Sequence, residues 1–311
     1  MTARQDAANG RLTTRAALAS TTLALFLLIL KGWAAAATGS VAMLGSLADS
    51  VFDLVASLIT LYGVRLAALP ADHDHRFGHG KAEALVALAQ VAFIAASAVG
   101  IGASAVARLS SDGVAEQPGL GIAVSLVGIA ATSLLIGFQR RVIAQTGSVA
   151  ITADSVHYQS DLLVNAAVIA ALALETGAGV RGADAVTGML IALWLARGAW
   201  RAAVRAIDQL MDKEWPDAKR SAFVEIASSH PAFRGIHDLR TRTSGSLHFA
   251  QFHVWVDPTM TVAEAHDVMD IVEARLDAAF PGTEVLIHLD PEGRNDRAGR
   301  HDEQLRETPE P

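Results

Sequence analysis

The chain contains no cysteine. That removes disulfides and thiolate ligands together, so any metal site must be built from imidazole and carboxylate. Those donors suit Zn²⁺ and other borderline divalent ions better than Cu(I) or iron–sulfur clusters. Charged residues make up only 18% of the sequence and aromatics 5%, against 51% hydrophobic, and the mean hydropathy is +0.33. So little charge excludes an ordinary soluble protein of 311 residues and points to a polytopic membrane protein. No His-Glu-x-x-His pattern is present, which argues against an intramembrane metallohydrolase. The net charge of −7 resides mostly in the carboxyl-terminal third and gives no reason to expect a nucleic-acid partner.

What the sequence does contain is long apolar runs rich in Ala and Gly, small residues that let helices approach closely in a bilayer. Six of them, over residues 16–37, 41–69, 82–109, 120–143, 149–174 and 183–203, can cross a hydrocarbon core of about 30 Å, for which about 20 helical residues suffice. The first is long for a signal-peptide core and reads as a retained helix behind a polar tail, 1–15. Arg11, Arg15, Arg76, Lys81, Arg140, Arg141, Arg201, Arg205 and Lys213 fall on one side of the spans. Asp112, Glu116 and Arg181 fall on the other, so both termini are expected in the cytoplasm.

Beyond the membrane region, 16–208, the character changes. Trp215-Pro216-Asp217 reads as a break and a helix start. A helix near 218–229, strands near 238–243 and 248–256, an amphipathic helix near 262–280 and a strand near 284–289 follow. This αββαβ order predicts an α+β cytoplasmic domain over 209–292, a small open sheet with helices on one face. The charged tail 293–311 is expected to be disordered.

Two of the apolar runs carry ligand pairs at i, i+4: Asp49 with Asp53, and His157 with Asp161. Residues four apart share a helix face, so each pair forms a clip. A carboxylate at the centre of a spanning helix costs roughly 2.5–3.5 kcal/mol on insertion scales, so such groups face a cavity, a partner or an ion. Two facing clips would supply the four N/O donors of a tetrahedral divalent site. Three carboxylates against a divalent cation leave one negative charge over, balanced if a proton is shared. Since ligands deprotonate before metal enters, metal and proton binding are expected to be coupled, with His157 the natural titrating group. The alternative is that each pair lines a helix contact and bonds Ser50, Ser57 or Ser160.

Two further clusters stand outside the spans. Asp72, His75 and His79 can converge on a turn containing Gly78, or remain a solvated loop. His288 and Asp290 share one face of a strand, His253 lies on another, and His237 and His266 complete five candidate donors. Five exceed one four-coordinate ion but suit two ions sharing Asp290; scattered surface histidines are the alternative.

The chain resembles the cation diffusion facilitator family, and within it the bacterial ferrous-iron/zinc efflux branch. The resemblance is carried by Gly39-Ser40-Val41, Leu47-Ala48-Asp49-Ser50-Val51-Phe52-Asp53, Phe77-Gly78-His79-Gly80-Lys81-Ala82-Glu83, His157-Tyr158-Gln159-Ser160-Asp161, Ala183-Asp184-Ala185, His237-Asp238-Leu239-Arg240-Thr241-Arg242 and Ile287-His288-Leu289-Asp290-Pro291. It implies a homodimer in the bacterial inner membrane, six helices per protomer and a metallochaperone-like αββαβ domain. It also implies exchange of Zn²⁺, or of Fe²⁺, Cd²⁺ or Mn²⁺, for protons by alternating access. Carried over, the transport site is Asp49, Asp53, His157 and Asp161, and the loop site is Asp72, His75 and His79. The cytoplasmic pair of structural Zn²⁺ ions would be held by His237, His253, His266, His288 and Asp290. Lys81 and Asp212 match a charge interlock of the dimer. Asp49 rather than His at the first transport position fits a branch of broad selectivity. The rival expectation is a membrane-anchored metal sensor or scaffold acting through its cytoplasmic domain.

Overall fold

The computed structural model describes residues 2–38, 41–108, 119–178 and 183–293. The expectations for Gly39-Ser40, Asp112, Glu116, Arg181 and the tail past Gly293 lie outside the described residues. The chain divides into two compact units, one of Asn9–Asp208 and one running from Gln209 onward together with the first eight residues.

The first unit holds six long helices: α1 (Thr2–Thr38), α2 (Val41–Ala67), α3 (Ala82–Arg108), α4 (Gly119–Thr146), α5 (Val149–Ala178) and α6 (Ala183–Leu210). Helix α1 begins at Thr2 rather than near residue 16, so the polar tail is helical. Hydropathy marks where a helix enters lipid, whereas the helix continues as long as good formers such as Ala, Arg and Gln follow without proline. The same reason extends α6 past residue 203, and α5 also runs on, to Ala178. Among the described residues, four stretches are long and apolar enough to cross a membrane: Ala8–Ala37, Asp49–Ala67, Ala82–Ala107 and Val124–Thr146. The other two helices carry the polar load, with Asp154, His157 and Asp161 on α5 and Arg197, Arg201, Arg205 and Asp208 on α6.

Helix α5 packs against α2, α3 and α4. Helices α2 and α3 approach so closely that a Cβ at Gly63 would lie 1.9 Å from Val86 Cγ2, which is what small residues permit where lipid supplies no hydrophobic drive between helices.

The second unit has the expected order: α7 (Asp217–Ala227), β1 (Ile236–Ser244), β2 (Leu247–Val256), α8 (Val262–Ala279) and β3 (Thr283–Pro291). The sheet order is β1-β2-β3, with β1 antiparallel and β3 parallel to β2. Period-2 alternation sends Ala250, Phe252, Val254 and Val256 into a core with Trp215 and Phe223, Val272 and Leu276 from α8, and Ile287 from β3. The other face of β2 carries Gln251, His253 and Trp255. Helix α8 starts on a capping box, Thr261 with Glu264.

Candidate metal sites

In the membrane unit, α2 supplies Asp53 and α5 supplies His157 and Asp161, and one donor atom of each lies within 4.8 Å of the others. His157 Nε2 stands 3.2 Å from Asp53 Oδ1 and 3.8 Å from Asp161 Oδ2. His157 is buried, and neither ring nitrogen makes a hydrogen bond of acceptable geometry. A buried imidazole left this way is poorly satisfied unless a further partner arrives. Asp49 is exposed and lines the same cavity of about 740 Å³ with Asp53, His157 and Asp161, but it is not one of the converged group. Three of the four expected donors are thus gathered here, and the fourth lines the same cavity. Asp49 stands one helical turn from Asp53 on α2, roughly 6 Å along the axis.

The loop before α3 brings Asp72, His75 and His79 together. His79 Nε2 is 3.3 Å from Asp72 Oδ2, and His75 Nδ1 is 3.3 Å from Asp72 Oδ1. The loop is pre-shaped by Asp72 Oδ1, which accepts the backbone N–H of His75 at 2.6 Å and of Asp74 at 3.0 Å. The His75 N–H foremost holds the Asp72 carboxyl below the usual carboxylate range. Gly78 takes φ +76, which lets the chain turn back toward His75. His73 points elsewhere, toward Asp74.

In the cytoplasmic unit, strand register aligns three histidines in one row: His237 faces His253 across β1 and β2, and His253 faces His288 across β2 and β3. The register is broken just past His237, where Asp238 adopts φ +47 in a bulge. All three imidazoles reach one carboxylate, that of the buried Asp290. His237 Nε2 lies 3.1 Å and His253 Nδ1 2.9 Å from Oδ2, and His288 Nε2 3.2 Å from Oδ1. Burial pushes the Asp290 carboxyl up, but His253, followed by His288 and His237, outweighs it and leaves the group lowered. His237 Nδ1 is buried without a hydrogen-bond partner, and a set of three imidazoles around a two-sided carboxylate fits borderline divalent ions. The structure does not bring His266 to this set: it sits exposed on α8, 3.3 Å from Asp270. The sheet donors lie on the face away from the core, whereas α8 is packed on the core side.

These sites lie on a chain whose sequence a cation efflux transmembrane domain model matches over residues 17–211 and a cation efflux cytoplasmic domain model matches over 215–292. The chain belongs to the cation efflux family, the cation diffusion facilitators. It is 43% identical to the cation-efflux pump FieF of Cronobacter sakazakii, over 91% of this chain and 94% of that protein. Identity to FieF of Serratia proteamaculans is 44%, over 92% and 97%, and to FieF of Yersinia pestis 45%, over 89% and 92%. A solved structure of CzrB in a zinc form is 33% identical over 28% of this chain and 99% of that one, with a TM-score of 0.25, too low to bear on the fold. As a cation efflux protein the chain is a multi-pass membrane transporter of a family that is not enzymatic, and it carries the family's dimerisation domain.

The ligand spacings do not reveal the polar hub behind the membrane donors. Asp154, fully buried on α5, accepts Ser20 Oγ of α1 at 2.6 Å, Gln139 Nε2 of α4 at 2.8 Å and Gln90 Nε2 of α3 at 3.4 Å. Tyr158 pairs with Ser57 Oγ of α2 at 2.8 Å and donates to the Ser20 carbonyl at 3.0 Å. These bonds tie four helices to α5, the helix that carries His157 and Asp161. The signal was present: Gln90, Gln139 and Asp154 are polar residues inside apolar runs, a class that repays a search for partners.

Proposed function

We propose that the protein exports divalent cations from the cytoplasm in exchange for protons, by alternating access, with Zn²⁺ as substrate and Fe²⁺, Cd²⁺ or Mn²⁺ as alternatives. The transported ion is held by Asp53, His157 and Asp161, and by Asp49 once α2 and α5 shift against each other. The observation that carries this reading is a buried imidazole with two unsatisfied nitrogens, flanked by two carboxylates and open to a cavity. Protons compete with the metal for the same donors, so a pH difference across the membrane drives release on the acid side. The protein acts as a homodimer in the bacterial inner membrane with both termini in the cytoplasm. Asp72, His75 and His79 bind a second ion, and His237, His253, His288 and Asp290 hold structural Zn²⁺, with His266 joining only if the dimer rearranges α8. Lys81 and Asp212 form a charge interlock in that dimer; Asp212 also lies 3.9 Å from Arg242.

The test is Zn²⁺ uptake into vesicles holding the reconstituted full chain under an imposed pH gradient. Asp53→Ala and Asp161→Ala are expected to abolish uptake, and uptake by either variant at the wild-type rate refutes the proposal. The three-histidine hub around Asp290 favours a second role, in which the cytoplasmic unit reports metal level; variants dead in transport but still altering metal-dependent partner association would establish it.

A further inference from the structure

Lys31 lies on α1, inside an apolar span, and none of the donor sets includes it. Its ammonium donates to the Ser46 carbonyl at 3.4 Å, which holds it at the start of α2. It lines the 740 Å³ cavity together with Asp49, Asp53, His157 and Asp161, and also a smaller pocket of about 60 Å³ bounded by Asp53, Tyr158 and Asp161. Its charge reaches both Asp49 and Asp161. A lysine within a span either snorkels to the interface or answers an acid, and here the acids are those of the metal cavity.

Three carboxylates and one divalent cation leave one negative charge beside the buried His157, where uncompensated charge is costly. One fixed ammonium brings the loaded site to neutrality with His157 uncharged. The same ammonium faces a triple negative charge when the deprotonated site is empty and a single one when it is full, so it stabilises the empty site more and opposes retention of the metal.

We infer that Lys31 is the built-in counter-cation of the transport site, a positioning residue whose fixed charge neutralises the loaded site and sets metal affinity low enough for release. The inference rests on Asp49, Asp53, His157 and Asp161 binding the transported ion.

The experiment measures KM and maximal rate of Zn²⁺ uptake by the full chain in vesicles for wild type, Lys31→Gln, Lys31→Met and Lys31→Arg. Removing the charge is expected to lower KM about tenfold and to lower the maximal rate by a similar factor, because tighter binding slows release. Lys31→Arg keeps the charge and should retain both parameters. Unchanged KM and rate in the neutral variants overturn the inference, as does an Arg variant that behaves like Gln. Collapse of both neutral variants on size exclusion while Lys31→Arg stays folded assigns Lys31 to folding and overturns it too. No Zn²⁺ flux by wild type sinks the transport reading itself, whereas wild-type flux with indifferent Lys31 variants sinks only this inference.

Discussion

The donor sets in the membrane and in the cytoplasmic domain use the same chemistry on scaffolds of different stiffness. Around Asp290 every imidazole of the row already has a carboxylate oxygen at 2.9–3.2 Å, and strand register fixes the spacing. Around His157 carboxylate oxygens stand at 3.2 and 3.8 Å, but the fourth acid stands apart and a cavity opens beside them. A β-ladder cannot slip by one residue without flipping every side chain to the other face, so it holds ligands rigidly. Two helices in a bilayer can shift against each other and so open or close a site. The physical lesson is that the sheet is suited to an ion that stays and the helix pair to one that passes.

The sharpest way to break this contrast is to remove a membrane donor. His157→Ala or Asp53→Ala should lower Zn²⁺ uptake by at least about 100-fold, read in reconstituted vesicles, since losing even supporting groups around a metal typically costs 10–100-fold. Asp290→Asn tests the other half: transport should fall only severalfold, while thermal stability of the Zn²⁺-loaded protein drops and becomes more sensitive to chelator. If Asp290→Asn silences transport as completely as Asp53→Ala, the two sites are not distinct in kind.

Asp154→Leu leaves Ser20 and Gln139 without their acceptor and should destabilise the protein in detergent by about 2 kcal/mol, given that buried groups left unpaired lose about 1–3 kcal/mol. Asp154→Asn, which keeps one acceptor oxygen, should recover part of it, as read by thermal unfolding.

The smallest effect concerns pH and confines itself to the cytoplasmic unit. Burial foremost, then the Lys219 charge, depresses the His248 imidazole to about 4 from 6.5. The unfolded chain therefore binds the extra proton first as pH falls. Stability contributed by neutral His248 is whole above about pH 6.5 and is lost progressively as pH falls toward 4. Hydrogen exchange of the β2 amides should quicken over that window, and His248→Phe, which keeps a ring against Trp215, should flatten the response.

Much of the fold was legible because its periods are short-range. The αββαβ order follows from alternation and turn residues, and β2 at Leu247–Val256 and α8 at Val262–Ala279 fall within a residue of their expected bounds. The start of α1 was not legible, because hydropathy reports the lipid boundary and helix propensity does not respect it. The pairing of His157 with Asp53 could be anticipated from two clips of ligand chemistry. The separation of Asp49 and the placement of His266 away from the Asp290 row could not, since spacing gives a shared face but neither the slide between helices nor which side of a sheet a helix covers.

By itself the sequence determined the class of protein, the donor atoms available and the residues that share a helix or strand face, because cysteine content, hydropathy and side-chain period are local properties. Only the tertiary structure decided that three membrane donors meet while Asp49 stands one turn away, that one carboxylate gathers three histidines, and that Asp154 and Lys31 stand behind and beside the cavity those donors line. Those relations depend on how helices and strands from distant parts of the chain pack together, and packing is set by contacts that no single stretch of sequence contains.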